Sequence, residues 1–196
     1  MLCSCGAAPL YRCSVCGRLL CAEHSRLAVV CSGCLPKASR LDVSVEEASS
    51  LDMRQVVELA ERMWGEPSQL AYGREYCIRE LPALVAKSGR SLAGFASYTR
   101  VEEGVLLVAL GVHPAYQRAG VGRRLIEALE AEAKREGGRL LVSTSNDNLP
   151  ALAFYQKLGF HLREVKPEAI LRKHGMLVSG VGGIPVRDEV RLLKPV

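Results

Sequence analysis

Gly120 and Gly122 stand just past an apolar run, residues 105–112, and open an amphipathic helical pattern. Lacking side chains, they leave the backbone uncovered, so successive N–H groups at a helix start can approach an anion closely. The positive end of the helix dipole favours negative charge there, and Arg118, Arg123 and Arg124 add full charges. A pyrophosphate is the natural ligand of such a nest. A dinucleotide fingerprint would need Gly-x-Gly-x-x-Gly and an acid about twenty residues on. Here the glycine spacing differs and that acid is missing. Downstream, a second apolar run at 140–143 precedes Asn148, Ala151, Phe154, Tyr155, Lys157, Gly159 and Phe160. Asn148 is suited to cap the helix predicted over 148–158.

Strand, glycine-opened helix, strand, then Asn-x-x-Ala-x-x-Phe-Tyr-x-Lys-x-Gly-Phe is an order that resembles the acetyl-CoA-binding core of the GNAT family of N-acetyltransferases. The resemblance extends roughly from residue 41 to the C-terminus. It implies an α+β fold with a mixed, mostly antiparallel sheet splayed between its fourth and fifth strands, where acetyl-CoA lies as cosubstrate. It implies that the backbone of Gln117, Arg118, Ala119, Gly120, Val121, Gly122 and Arg123 holds the pyrophosphate. Backbone N–H groups near Leu110 and Val112, freed where the strands diverge, would hold the thioester carbonyl and pantetheine. Asn148 matches the position that bonds the cofactor arm. Tyr155 matches the one whose hydroxyl protonates the departing thiolate, and a phenol of pKa about 10 keeps its proton at neutral pH. Many members carry a basic carboxylate on the fourth strand, yet residues 105–111 have no ionisable side chain. His113, Glu102, Glu103 and His174 are the alternatives, and none is singled out.

Seven of the eight cysteines fall in the first 34 residues. With one histidine they form four close pairs: Cys3 and Cys5, Cys13 and Cys16, Cys21 and His24, Cys31 and Cys34. Eight such ligands suffice for two tetrahedral zinc sites. Disulfides compete, but a reducing compartment and a histidine in regular spacing argue against them. The layout resembles a B-box-type cross-brace finger. That likeness implies Cys3, Cys5, Cys21 and His24 on one ion and Cys13, Cys16, Cys31 and Cys34 on the other, with sequential pairing left open. So short a segment has no room for a core, so structural zinc would stabilise it. The expected domains are a finger over 1–38 and an acetyltransferase domain over 39–196, parted by a linker near 36–40.

The formal net charge is +5. Two Zn²⁺ on seven thiolates bring four positive charges against seven negative, which lowers the net to +2. A basic footprint for nucleic acid then mostly vanishes. No apolar run reaches a membrane span and no signal segment opens the chain, so a cytoplasmic protein is expected.

Hydrophobic spacing predicts a strand through Leu41, Val43 and Val45 and a helix over 52–64. A second helix is predicted over 68–80, then three strands over 83–87, 92–100 and 104–112 as an antiparallel meander. Helix 120–136, strand 140–143, helix 148–158, and strands 160–166 and 186–193 complete the pattern. The expected function is acetyl transfer to a primary amine by direct attack, on a protein or peptide, with the finger as a docking module. A small-molecule amine, or a non-catalytic acetyl-CoA sensor, is the alternative. Homodimer formation is left open.

Overall fold

The computed structural model describes residues 42–196 and, before them, two short strands, β1 (Tyr11–Arg12) and β2 (Leu19–Leu20), paired antiparallel. The eight expected metal ligands, and Leu41, lie outside the described residues.

A seven-stranded sheet organises the rest. Its strands are β3 (Ser44–Glu47), β6 (Ala83–Ser88), β7 (Ser91–Val101), β8 (Gly104–Val112), β9 (Arg139–Ser145), β10 (His161–Lys166) and β13 (Glu189–Pro195). They lie in the order β10-β13-β9-β8-β7-β6-β3, antiparallel except for the parallel pair β8–β9. That parallel pair needs a crossover, which the helix α2 (Val121–Arg135) supplies. Helix α1 (Ser50–Trp64) covers one face, burying Val56, Leu59 and Ala60 against Ile78, Val85, Phe95 and Ala109. On the other face α2 buries Val121, Leu125, Ile126, Leu129 and Ala133 against Leu107, Leu140, Val142 and Leu192. Helix α3 (Leu149–Lys157) joins that face through Tyr155.

The helix expected over 68–80 is instead a hairpin, β4 (Ser68–Ala71) and β5 (Arg74–Cys77), followed by one 3₁₀ turn. Tyr72 and Gly73 both take positive φ, 52° and 74°, as a two-residue primed turn requires. Tertiary packing overrides the helical spacing: Ala71 is buried with Leu106, Val108 and Leu141, beside α1 on the same face. The last strand begins at Glu189 rather than 186. Between β10 and β13 the chain makes an excursion: a short helix α4 (Ala169–His174) and a hairpin of β11 (Val178–Ser179) and β12 (Pro185–Val186). No helix of the described residues is long and apolar enough to cross a membrane.

Helix α1 starts in a capping box. Asp52 N–H donates to Ser49 Oγ at 3.3 Å, and Ser49 N–H donates to Asp52 Oδ2 at 2.9 Å. Asp52 is buried, and its Oδ1 lies 2.8 Å from Lys87 Nζ on β6, which ties the helix to the sheet. The bond from Lys87, and then that from Ser49, hold the carboxyl down to about 2. An unfolded aspartate titrates near 4, so the stabilisation is complete above that pH and is lost as pH falls through about 2. Asp52→Asn is therefore expected to melt earlier than wild type at neutral pH. The gap in Tm, followed by circular dichroism, should close between about pH 4 and pH 2.

Candidate functional site

β8 contains one residue too many for its antiparallel partner. Ser97 faces Ala109 and Tyr98 faces Leu107, which leaves Val108 with no opposite number. Such a bulge bends a strand and ends regular pairing. Pairing with β9 is confined to 105–107 against 140–142, so the two strands part where the bulge begins. The bulge also changes which face follows. Val108 and Ala109 both pack toward α1 and the β4–β5 hairpin, whereas Leu110 and Val112 pack toward α2. His113 N–H donates to the Ala93 carbonyl at 2.9 Å. Alternation along the ladder then points the backbone groups of Ala109 and Gly111 at β7 and those of Leu110 and Val112 into the gap.

At the α2 end of this gap the loop curls into a nest. Arg118 and Gly120 both take left-handed backbone, φ 65° and 81°. Arg124 N–H donates to the Gly120 carbonyl at 3.1 Å and closes the first turn, so the N–H groups of Val121, Gly122 and Arg123 begin the helix without an intrahelical acceptor. A Cβ on Gly120 would meet nothing within 4 Å, so a side chain there would project into the open space before the helix. Gly122 has a different reason: a Cβ there would sit 3.2 Å from the Phe154 ring, where α2 and α3 touch. Val121 is buried in the core, leaving only its backbone for a ligand, and Ala119 is half-buried against the core. Gln117 Nε2 donates to the Val112 carbonyl at 3.2 Å and so ties the loop to the strand end. Arg123 is exposed, whereas Arg124 donates to the Val43 carbonyl at 2.8 Å.

Asn148 Oδ1 accepts the Ala151 N–H at 3.2 Å, the cap expected of it. Tyr155 is buried beside Phe154 and Phe160 and lines a cleft of about 670 Å³ that occupies the gap. Burial pushes its phenol above the usual tyrosine range, so it stays protonated at neutral pH. Leu110 and Asn148 line the same cleft. The structure thus gathers Leu110, Asn148 and Tyr155 in one cleft, while Val112 and the nest lie farther along β8 and at the start of α2, outside the residues that line it.

The opposite side of the cleft is walled by Met63 and Trp64 at the end of α1, by Glu66 just after it, and by Ile170, Lys173 and Val178 of the excursion. Lys173 Nζ bonds Glu66 Oε1 at 2.8 Å and bridges the two walls. The excursion is pinned to the end of β9. Asn146 Oδ1 accepts the N–H groups of Arg187 and Asp188, and Asp147 Oδ2 accepts that of Val181.

Of the four alternative bases, only His174 lines the cleft. His113 Nδ1 accepts the Ala115 N–H at 3.2 Å and caps a turn. Glu102 and Glu103 lie in the β7–β8 turn, at the other end of β8 from the bulge, and Glu103 pairs with Arg163. Glu189 escapes the sequence reading. It is 1% exposed on β13, lines the cleft, and its Oε2 receives Nε and Nη2 of Arg191, each at 2.9 Å. Its signal is a Glu-x-Arg pair at the start of a largely apolar strand that lies inside the sheet.

With this geometry in hand, likeness to known proteins takes a specific form. The profile of the acetyltransferase (GNAT) family matches residues 53–160, more than half of the chain. N-alpha-acetyltransferase RimI of Mycobacterium tuberculosis is 32% identical over 123 residues, 61% of this chain and 73% of that protein. The [ribosomal protein bS18]-alanine N-acetyltransferase of Escherichia coli is 27% identical over 133 residues, 67% of this chain and 85% of that protein. Among solved structures, a Bacillus subtilis acetyltransferase in complex with CoA shares the fold with a TM-score of 0.60 at 22% identity, covering 80% of this chain and 99% of its own. A sheet splayed at a bulge, with a glycine-opened helix and a buried tyrosine packed on the same face, agrees with that match: the chain belongs to the GNAT family of acetyltransferases.

Proposed function

We propose that this enzyme carries the acetyl group of acetyl-CoA directly to a primary amine, with the donor on the α2–α3 side of the splay and the acceptor on the α1 side. The observation that carries the reading is the gap itself. Leu110, Asn148 and Tyr155 line it, and β8 runs on from it through Val112 to the loop that opens α2 at Gly120. In this reading the pyrophosphate sits on the N–H groups of residues 118–123 and Asn148 bonds the pantetheine arm. An N–H at Leu110 or Val112 holds the thioester oxygen as it gains charge. Tyr155 gives its proton to sulfur as the C–S bond breaks, coupled to the proton that the amine nitrogen sheds.

A protein or peptide amine is the acceptor proposed, supported by the two relatives named for α-amine and ribosomal-protein acetylation. A small amine is the second reading, favoured by the Lys173–Glu66 bridge that narrows the acceptor side. Acetyl-CoA consumption against peptides with free α-amino ends and against small amines decides between them.

Residues 1–38 are proposed as a two-zinc docking finger, ahead of a catalytic domain over 39–196. The paired strands β1 and β2 support this, because in sequence they flank Cys13 and Cys16 and are followed by Cys21. Cys3, Cys5, His24, Cys31 and Cys34 complete the ligand set. Seven thiolates and one imidazole suit Zn²⁺, which would supply folding free energy rather than chemistry.

Three outcomes test these assignments. Gly120→Val forces a β-branched residue into left-handed backbone, a strain of about 1–2 kcal/mol, and puts methyl groups where the pyrophosphate is to lie. The folded variant should bind acetyl-CoA at least tenfold more weakly by calorimetry, about 1.4 kcal/mol, and undiminished affinity would remove the nest from the site. Tyr155→Phe should keep donor affinity and lower kcat roughly 10²–10⁴-fold. A wild-type rate, with chemistry limiting, would hand the proton to another donor. Elemental analysis should find about two zinc ions per chain. A chain starting at Ser39 should still bind acetyl-CoA and acetylate a small amine, but lose activity on a protein acceptor.

A further inference from the structure

The floor of the cleft, on the face covered by α1 and the β4–β5 hairpin, holds two oxygen atoms without a partner among the described residues. They are Glu189 Oε1 and Ser143 Oγ, both buried. β9 and β13 set them close: Glu189 lies opposite Ser145, and Ser143 lies opposite Arg191, two residues along the same face. Leu141 and Leu193, on that face too, pack with Ala71 and Tyr72 of the hairpin. Leaving a buried acceptor without a donor costs roughly 1–3 kcal/mol, and more for a charged group. Arg191 supplies the countercharge a buried carboxylate requires, yet both of its bonds to Glu189 go to Oε2. A primary ammonium offers three N–H bonds and suits both oxygens.

We propose that Glu189 is the general base: Oε1 takes a proton from the acceptor's ammonium while Ser143 Oγ accepts a second N–H and orients the nitrogen. This rests on the acetyl-transfer reading above and fills a role that no side chain of β8 can fill. The ammonium gives one proton to Glu189. The freed lone pair then attacks the thioester carbon, and the carbonyl π pair moves to oxygen. When that centre collapses, the C–S bond breaks with its electron pair on sulfur, which takes the Tyr155 proton. The nitrogen sheds its second proton to restore Tyr155, directly or through water, and Glu189 passes its own to solvent. Amide, CoA thiol and one proton result. Tyr155 belongs to the core on the α2–α3 face and Glu189 to the opposite face, so acid and base approach the splay from its two sides. The ionisable groups around Glu189 are Arg191 on its own strand and Lys166, its register partner on β10. Glu164 joins through Arg191 Nη1 at 3.0 Å, Tyr72 lies under the Arg191 guanidinium, and Glu66, Lys173 and His174 stand along the cleft.

The test is the rate of acetyl-CoA consumption from about pH 5 to pH 10 with peptides bearing free α-amino ends, benzylamine and n-butylamine as acceptors. Glu189→Gln should lower kcat/KM roughly 10²–10⁴-fold and flatten the acid limb of its pH profile. Acetyl-CoA affinity by calorimetry should not change, because the donor lies on the other face. Ser143→Ala should raise KM and leave the acid limb in place. Should Glu189→Gln fail to fold, Glu189→Asp keeps the charge but withdraws it by one methylene; it should retain the limb with a lower kcat. A folded Gln variant within about threefold of wild type, an Asp variant with wild-type kcat, or a rise in KM alone with the limb intact overturns the assignment. Wild-type protein that binds acetyl-CoA but acetylates none of these amines overturns the acetyl-transfer reading, and Glu189 with it.

Discussion

Everything at the splay depends on the extra residue in β8. A parallel pair held along its whole length would satisfy its own backbone and leave nothing for a ligand. Val108 breaks that pairing just beyond Leu107, so the backbone of the strand's second half faces a gap instead of a neighbour. The same kink reverses the alternation of side chains. Leu110 and Val112 thereby join the α2 core, while their main-chain groups border the cleft. A strand otherwise buried on both faces thus acquires a polar edge without one polar side chain.

Two helices meet this edge with opposite demands. α2 has to begin with uncovered N–H groups, which Gly120 permits by adopting left-handed backbone. α3 has to come close enough to bring Tyr155 to the gap, and the missing Cβ of Gly122 makes room for the Phe154 ring beside it. The two glycines look alike in the sequence, but one is shaped by backbone conformation and the other by packing. Standing two residues apart in the first turn, they tie the nest to the position of the phenol.

The features on the side of the splay proposed for the donor were legible in the sequence because they are local: glycines at a helix start, an Asn cap, a tyrosine two turns on. The succession of strands and helices along the chain from 83 onward also followed from hydrophobic spacing, whereas the mixed, splayed sheet was implied by the family resemblance. The β4–β5 hairpin did not follow, because Leu70, Ala71, Cys77 and Ile78 fall at spacings a helix would also allow, and only the Tyr72–Gly73 turn and the packing against Leu106 and Leu141 decide the matter. The acceptor side was still less legible. Glu189 and Ser143 are far apart in the chain, and their adjacency is a matter of strand register, which no local pattern carries. Glu102 and Glu103 drew notice by lying beside β8, but they sit at its wrong end.

The excursion between β10 and β13 leaves and rejoins the sheet on two strands that are themselves antiparallel neighbours. Its ends are therefore held close whatever lies between them, and lengthening it adds only the slowly growing entropy of a longer loop. Its fastening to β9 uses backbone groups as partners of Asn146 and Asp147, so almost any sequence can be fastened in the same way. This wall of the cleft is consequently free to vary in length and composition while the sheet register, and with it the donor side, stays fixed.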